Sequence, residues 1–523
     1  MYILITLVIL GLTIATMIGL RLTQSSVSYS WLASALGALL AWISIIVWQA
    51  KMPLSFTPSL WAPSGLFQAS PTFLVDQYAW LYALSLAALA AAVMLTSPAR
   101  AALVVNPASW AGTLALTSLG LLAALADNPL TLVLCWSAID LTEFINTLRA
   151  SDSPSLSERT VISFAVRAAG TSLALWASVV GSASSGRVFL FENTSGQAGF
   201  ILLIAAGLRL GVLPLHLTFR NEPVLRRGFG TVLRLMTAAS SLILLSRLPV
   251  SSYQDQLIPY LLLFVALAAL YGGWKWLFAS DELRGRPYWI IGMSALALAA
   301  HLRGSPEGSA AWGSALVLFG GISFLYSARH IIFTRILAGL GILLLALPFS
   351  LTASGWGGSF PWPWLFWPLF ITAHLLLVAG YLRHLFRSGE TAYADLPTWA
   401  QSAYPVGLGL LALTAILTGV WGWPGALQIG TWITAIVTVL VGGLASLAVW
   451  RFRSFAPAEN PARQKSQAES ITFVSNLFGR VFWGIYRLLG NLFGLAASLL
   501  EGDGGLLWTL LLLVLFITIF GGK

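Results

Sequence analysis

The sequence predicts an all-α polytopic membrane protein of about sixteen transmembrane helices, and three observations predict it. Of its 523 residues 58% are hydrophobic and only 9% charged, too few polar side chains to cover a water-facing surface. Apolar runs of about 20 residues, the length that crosses a bilayer, recur along the chain between Pro, Gly and charged punctuation. The basic residues segregate between alternate connections, as the positive-inside rule requires.

The run from Tyr2 to Leu20 lacks a basic n-region and a small-residue cleavage site, so it reads as a first membrane helix and not a removed signal. Further spans centre near Leu40, Leu86, Leu116, Leu134, Leu173, Leu208 and Ala238, then near Val265, Ala295, Val317, Leu344, Leu375, Leu411, Ile436 and Leu513. With the connections numbered in order, eighteen Lys and Arg residues fall in odd ones, and only Lys51, Arg187, Arg247 and Arg303 in even ones. Odd connections are therefore expected in the cytoplasm and both termini outside. The net charge of +10 is thereby mostly topology. No clustered basic face with readout residues suggests nucleic-acid binding.

Between the last two spans the pattern changes. A polar, Pro-containing run from Ser454 to Glu469 precedes Ile471–Leu500, where Arg480 and Arg487 lie among Phe, Trp, Tyr and Leu. This reads as a lateral amphipathic helix on the cytoplasmic membrane face; a loop followed by an imperfect extra span is the alternative, and would put the termini on opposite sides. The expected organisation is N-terminal helices over 1–106, a core over 107–400, C-terminal helices over 401–453, the linker and lateral helix over 454–500, and a final helix over 501–523.

Charge inside the apolar runs marks where function is expected. Asp140 and Glu143 on the fifth span, Arg167 on the sixth, Arg209 on the seventh and Arg234 on the eighth all lie at membrane depth. There a charge costs about 2.5–3.5 kcal/mol even on lenient scales, and so faces protein, water or a partner. Asp140 and Glu143 are three residues apart and share a helix face. Two readings are open: a proton-handling pair, since carboxyl pKa values move widely with environment, or static ion pairs that lock the bundle. Arginine keeps its proton, so the three guanidiniums favour the static reading. His216 is open between proton exchange and capping of exposed carbonyls, and His301 and His374 read as packing. Lys275 between Trp274 and Trp276 reads as interfacial anchoring. Cys135 is the only cysteine, so no intrachain disulfide and no cysteine-based metal site can form; no cofactor motif is present.

One internal echo stands out. Leu210–Thr218 and Leu344–Thr352 share the pattern L-x-x-L-P-x-x-L-T, with Pro214 and Pro348 inside hydrophobic spans. Proline removes a backbone hydrogen bond and breaks a helix. Broken helices at matching places in two halves signal an inverted-repeat transporter.

Phe73-Leu-Val-Asp76, Ala126-Asp-Asn-Pro-Leu130 running on to Cys135-Trp136, Arg209-Leu-Gly-Val-Leu-Pro-Leu-His216, and Asp281 with Arg284 and Arg286 together resemble the antiporter-like subunits of respiratory complex I and the related Mrp antiporters. The resemblance covers roughly residues 70 to 360. It implies two inverted five-helix repeats, each with a broken helix, and buried Glu and Lys residues that relay protons. The chain departs from that pattern: Trp136-Ser137 stands where the family has Trp-Glu, leaving Asp140 or Glu143 to substitute. The lysines of the seventh and eighth spans align with Arg209 and Arg234. Gly355-Trp356-Gly-Gly-Ser359 offers no ionisable group near the second break.

The resemblance therefore implies a non-redox membrane-arm subunit of a complex I-like NADH/quinone oxidoreductase in the bacterial plasma membrane. It would sit among other membrane subunits, hold no cofactor, and contribute to proton translocation. The alternatives are a degenerate, non-conducting scaffold subunit or a stand-alone cation/proton antiporter.

Overall fold

The computed structural model describes residues 2–23, 27–58, 70–100, 107–149, 154–185, 191, 194–217, 225, 227–249, 256–387, 389–427 and 436–440. All belong to one compact unit, residues 1–442. The predicted lateral segment and final span lie outside the described residues, as does most of the span expected around Ile436.

The chain is an all-α polytopic membrane protein. Its helices are α1 (Tyr2–Leu22), α2 (Val27–Trp48), α3 (Gln77–Thr96), α4 (Pro107–Leu125), α5 (Pro129–Arg149), α6 (Pro154–Ser185), α7 (Gly196–Leu210), α8 (Arg227–Arg247), α9 (Ile258–Leu277), α10 (Glu282–Leu302), α11 (Pro306–Leu325), α12 (Ile331–Leu340), α13 (Pro363–Leu385) and α14 (Thr398–Val420). Among the described residues, ten helices are long and apolar enough to cross a membrane. The long helices α5 and α10 fall short on apolarity, because they carry the charges discussed below.

The centre is built by α3 and α11, every membrane-depth residue of which is buried. Helix α3 is rich in Ala and α11 in Ala and Gly, and small residues let neighbouring backbones approach where lipid supplies no hydrophobic drive. Helices α9 and α10 approach closely. A Cβ on Gly272 would lie 2.6 Å from the Gly292 nitrogen, and one on Gly273 2.9 Å from the Ala373 carbonyl of α13. By contrast α1 turns Leu4, Val8, Leu12 and Ile18 outward, the surface expected against lipid.

Two short pairs of strands tie connections at the bundle ends. Strands β1 (Leu54–Phe56) and β2 (Phe73–Val75) are antiparallel, with Leu54 opposite Val75 and Phe56 opposite Phe73. The Asp76 carboxylate then caps α3 by accepting from the Ala79 N–H at 2.6 Å, and it pairs with Arg247 at 3.2 Å. Arg247 also donates to the Leu74 carbonyl at 2.9 Å, so one side chain at the end of α8 holds the hairpin to the bundle. Strands β3 (Ala328–Arg329) and β4 (Thr391–Ala392) pair in parallel.

Helices α7 and α12 are too short to cross: 15 and 10 residues at 1.5 Å each make about 22 and 15 Å against a core of about 30 Å. After Leu210 the chain turns at Gly211, whose φ of 72° suits glycine. The Val212 and Leu213 N–H groups return to the Gly207 carbonyl, and Pro214 lies in the turn that follows. Beyond α12 come a 3₁₀ turn (Gly341–Leu344), irregular chain through Pro348, and a second 3₁₀ turn (Ala353–Trp356). Ala346 and Phe349, either side of Pro348, both have positive φ, at 56° and 61°.

Candidate functional site: a buried ion-pair cluster

The structure brings Asp140, Glu143, Arg167, Arg209 and Arg234 into one cluster between α5, α6, α7 and α8. Helical spacing turns both acids of α5 inward, so each is 2% exposed, and the three arginines are no more exposed. Arg209 holds Asp140 with both terminal nitrogens, Nη1 to Oδ2 at 2.5 Å and Nη2 to Oδ1 at 2.9 Å. This is the bidentate fork that guanidinium geometry favours. Its Nη1 also donates to Thr171 Oγ1 at 2.8 Å and to the Arg167 carbonyl at 3.2 Å, and its Nε to Ser241 Oγ at 3.3 Å. The guanidinium lies 4.3 Å from the centre of the Trp136 ring, a cation–π contact strengthened by desolvation.

Arg167 bridges the two acids, with Nε 3.4 Å from Asp140 Oδ1 and Nη1 bonded to Glu143 Oε1. Arg234 Nη1 bonds the same Glu143 oxygen. Both arginines therefore use Oε1, and the buried Glu143 Oε2 has no hydrogen-bond partner among the described residues. A small cavity lined by Glu143, Thr147, Arg159, Thr160, Ser163, Arg167 and Arg234 has room for about one water molecule. It runs from the cluster toward Arg159, an exposed residue in the first turns of α6. The cluster carries three positive and two negative formal charges.

His216 follows the α7 break, where its Nδ1 lies 2.8 Å from the Pro214 carbonyl. Pro348 lies in the second break, whose carbonyls are met from other helices. His374 Nε2 of α13 reaches the Leu344 carbonyl at 2.9 Å, Trp312 of α11 reaches Gly355 at 2.8 Å, and Arg303 at the end of α10 reaches Gly355 and Trp356 at 2.9 and 3.2 Å. Sequence reasoning missed this capping, because its partners lie about 30 to 53 residues away and leave no local signal.

It also missed a second cluster at one end of the bundle. Arg227 at the start of α8 bonds Glu282 at 2.9 Å and Glu390 at 2.5 Å and donates to the Phe324 carbonyl at 2.6 Å. Arg329 approaches Glu282 at 3.7 Å and caps α13 through the His384 carbonyl at 2.8 Å; burial lowers the Arg329 pKa, with Glu282 opposing the shift. Counted only as topological charge, these residues instead tie α8, α10, β3 and the α13–α14 connection together. Asp281, from the sequence motif, caps α10 by accepting from the Arg284 N–H at 2.7 Å.

No family model and no curated protein matches the sequence. Solved structures do match. A chain of the Mrp complex from Dietzia sp. DQ12-45-1b superposes with a TM-score of 0.64 at 16% identity, covering 98% of this chain and 62% of that one. A chain of respiratory complex I from Thermus thermophilus, with bound NADH, gives 0.62 at 20% identity over 84% and 99%. A chain of the membrane-bound sulfane sulfur reductase, an archaeal respiratory membrane complex, gives 0.60 at 15% over 94% and 95%. The fold is the one that these chains of membrane complexes share. This chain spans 62% of the length of the Mrp chain it matches. The irregular backbone beyond the short α7 and α12 is tolerated at membrane depth where protein shelters it.

Proposed function

We propose that this chain is a membrane-arm subunit of a complex I-like NADH/quinone oxidoreductase or related redox complex, and contributes to proton translocation with Glu143 as the proton-exchanging group. The observation that carries the reading is the unpartnered Glu143 Oε2 on a water-sized cavity leading toward the exposed Arg159. A carboxylate oxygen reached by water exchanges protons in a way that a guanidinium does not. Its partners would be other membrane subunits, as in the assemblies whose chains it resembles, and its location the plasma membrane with both termini outside.

The same reading assigns two inverted five-helix repeats, α4–α8 and α9–α13, with breaks at Pro214 and Pro348, inside the sixteen-helix plan and domain limits expected from the sequence. Helix neighbours support it. The pairs α4/α5, α4/α8, α5/α6, α5/α8 and α7/α8 recur as α9/α10, α9/α13, α10/α11, α10/α13 and α12/α13.

A second reading, a non-conducting scaffold, is favoured by the three arginines that hold both acids. One experiment separates the two. In the assembled complex, E143Q is expected to lower protons moved per electron transferred while assembly persists. An unchanged stoichiometry with normal assembly would sink the conducting role and leave the scaffold.

A further inference from the structure

The second half of the bundle holds a charge arranged unlike those of the first. Arg303 ends α10 with 7% of its surface exposed. Among the described residues its hydrogen bonds go only to carbonyls: Nε to Ala299 at 3.1 Å, Nη1 to Trp356 at 3.2 Å and Nη2 to Gly355 at 2.9 Å. Its guanidinium lies 4.6 Å from the Phe360 ring centre and 5.6 Å from that of Trp356. No carboxylate pairs with it among the described residues. Carbonyls and ring faces orient a guanidinium and offset part of its desolvation, but unlike a carboxylate they leave the unit charge in place.

Beside it lies polar surface that protein does not satisfy. Ser354 Oγ, Trp356 Nε1, His374 Nδ1 and Trp423 Nε1 are buried with no hydrogen-bond partner among the described residues. They are contiguous with Arg303. His374 packs on Trp356 at 5.7 Å between ring centres, and a Cβ on Gly425 would meet both Ser354 Oγ and Trp423 Nε1 at 2.7 Å. Buried polar groups without protein partners are normally satisfied by water. A hydrated strip along a broken helix is a route by which protons and small cations leak, unless a fixed positive potential stands on it.

We propose that Arg303 is that potential: an electrostatic seal that keeps the polar interior of the second half closed to protons and alkali cations. This goes beyond the role assigned to Glu143 and does not depend on it. A seal by charge makes a selective prediction, since removing the charge opens the strip to cations, whereas loosened packing admits ions of either sign.

The test is passive flux through the purified full-length chain in liposomes, read with a proton-sensitive dye and with sodium- and chloride-sensitive dyes. R303M is expected to raise proton and sodium leak about tenfold or more, the order expected when a nearby unit charge is removed from a low-dielectric path, with chloride flux unchanged. R303K, which keeps the charge and loses the fork, is expected to stay near the unsubstituted chain. Should R303M fail to purify, R303Q retains an N–H donor without charge and carries the same expectation. Leak unchanged in the neutral variant, chloride rising together with the cations, or R303K leaking like the neutral variant would each overturn the proposal.

Discussion

Arg209 and Asp140 meet as a two-point fork, 2.5 and 2.9 Å between paired atoms, with side chains 0% and 3% exposed. The pair joins α7, immediately before its break, to α5. Removing one member of such a pair strands a charge in low dielectric, which costs more than the intact pair contributes. R209M is therefore expected to lose about 3–5 kcal/mol of stability, seen as a lower thermal midpoint in detergent. The double variant with D140N should lose less than the sum of the single losses. Additive losses would show that the two side chains do not depend on each other.

Arginine and lysine are not equivalent here. R209K keeps the charge but gives up the second bond to Asp140 and the planar stack on Trp136. It is expected to fall between the native chain and R209M in the same unfolding experiment. A midpoint equal to the native one would mean that charge alone suffices.

Ala346 lies in the left-handed region at φ 56°, which costs an L-residue about 1–2 kcal/mol. Ala346→Gly relieves that strain at an unfolded-state entropy cost of about 0.4–1 kcal/mol, so stability should hold or rise slightly. Ala315→Gly, in the buried interior of α11, should lose about 0.5–1 kcal/mol or more. Comparing the two thermal midpoints checks this; equal losses would mean that the second break stores no strain at Ala346.

The α9–α10 contact leaves no room for a side chain at Gly272. Gly272→Ala must separate the helices or bend them, and overpacking of this kind costs about 1–3 kcal/mol. Gly339→Ala, with open space around its Cβ, should be neutral or slightly stabilising, which makes it the control for helix propensity. A neutral Gly272→Ala would mean that α9 and α10 move apart freely.

What was legible in the sequence followed local rules. The membrane class followed from composition, and the positions of the long helices from apolar runs of bilayer length, whereas α7 and α12 stop short of the full spans expected near Leu208 and Leu344. The inward turn of Asp140 and Glu143 together followed from their i, i+3 spacing. The cost of charge in lipid also pointed to this region, because that cost is a property of each residue in its own span. The hairpin of β1 and β2 was not legible, since three-residue strands separated by a long connection have no periodicity to read.

Tertiary structure alone decided which groups meet. Composition and spacing could not say that Arg167 would bridge both acids, that Arg167 and Arg234 would crowd onto one Glu143 oxygen, or that Arg209 would settle on Trp136. Nor could they say that the second break, without an ionisable group of its own, would be capped by Arg303, Trp312 and His374 from three other helices. Helix formation needs only neighbours within one turn, so sequence by itself determined the helices. Pairing of charges and capping of freed carbonyls depend on which helices lie side by side, and that choice is made by the packing of the whole bundle.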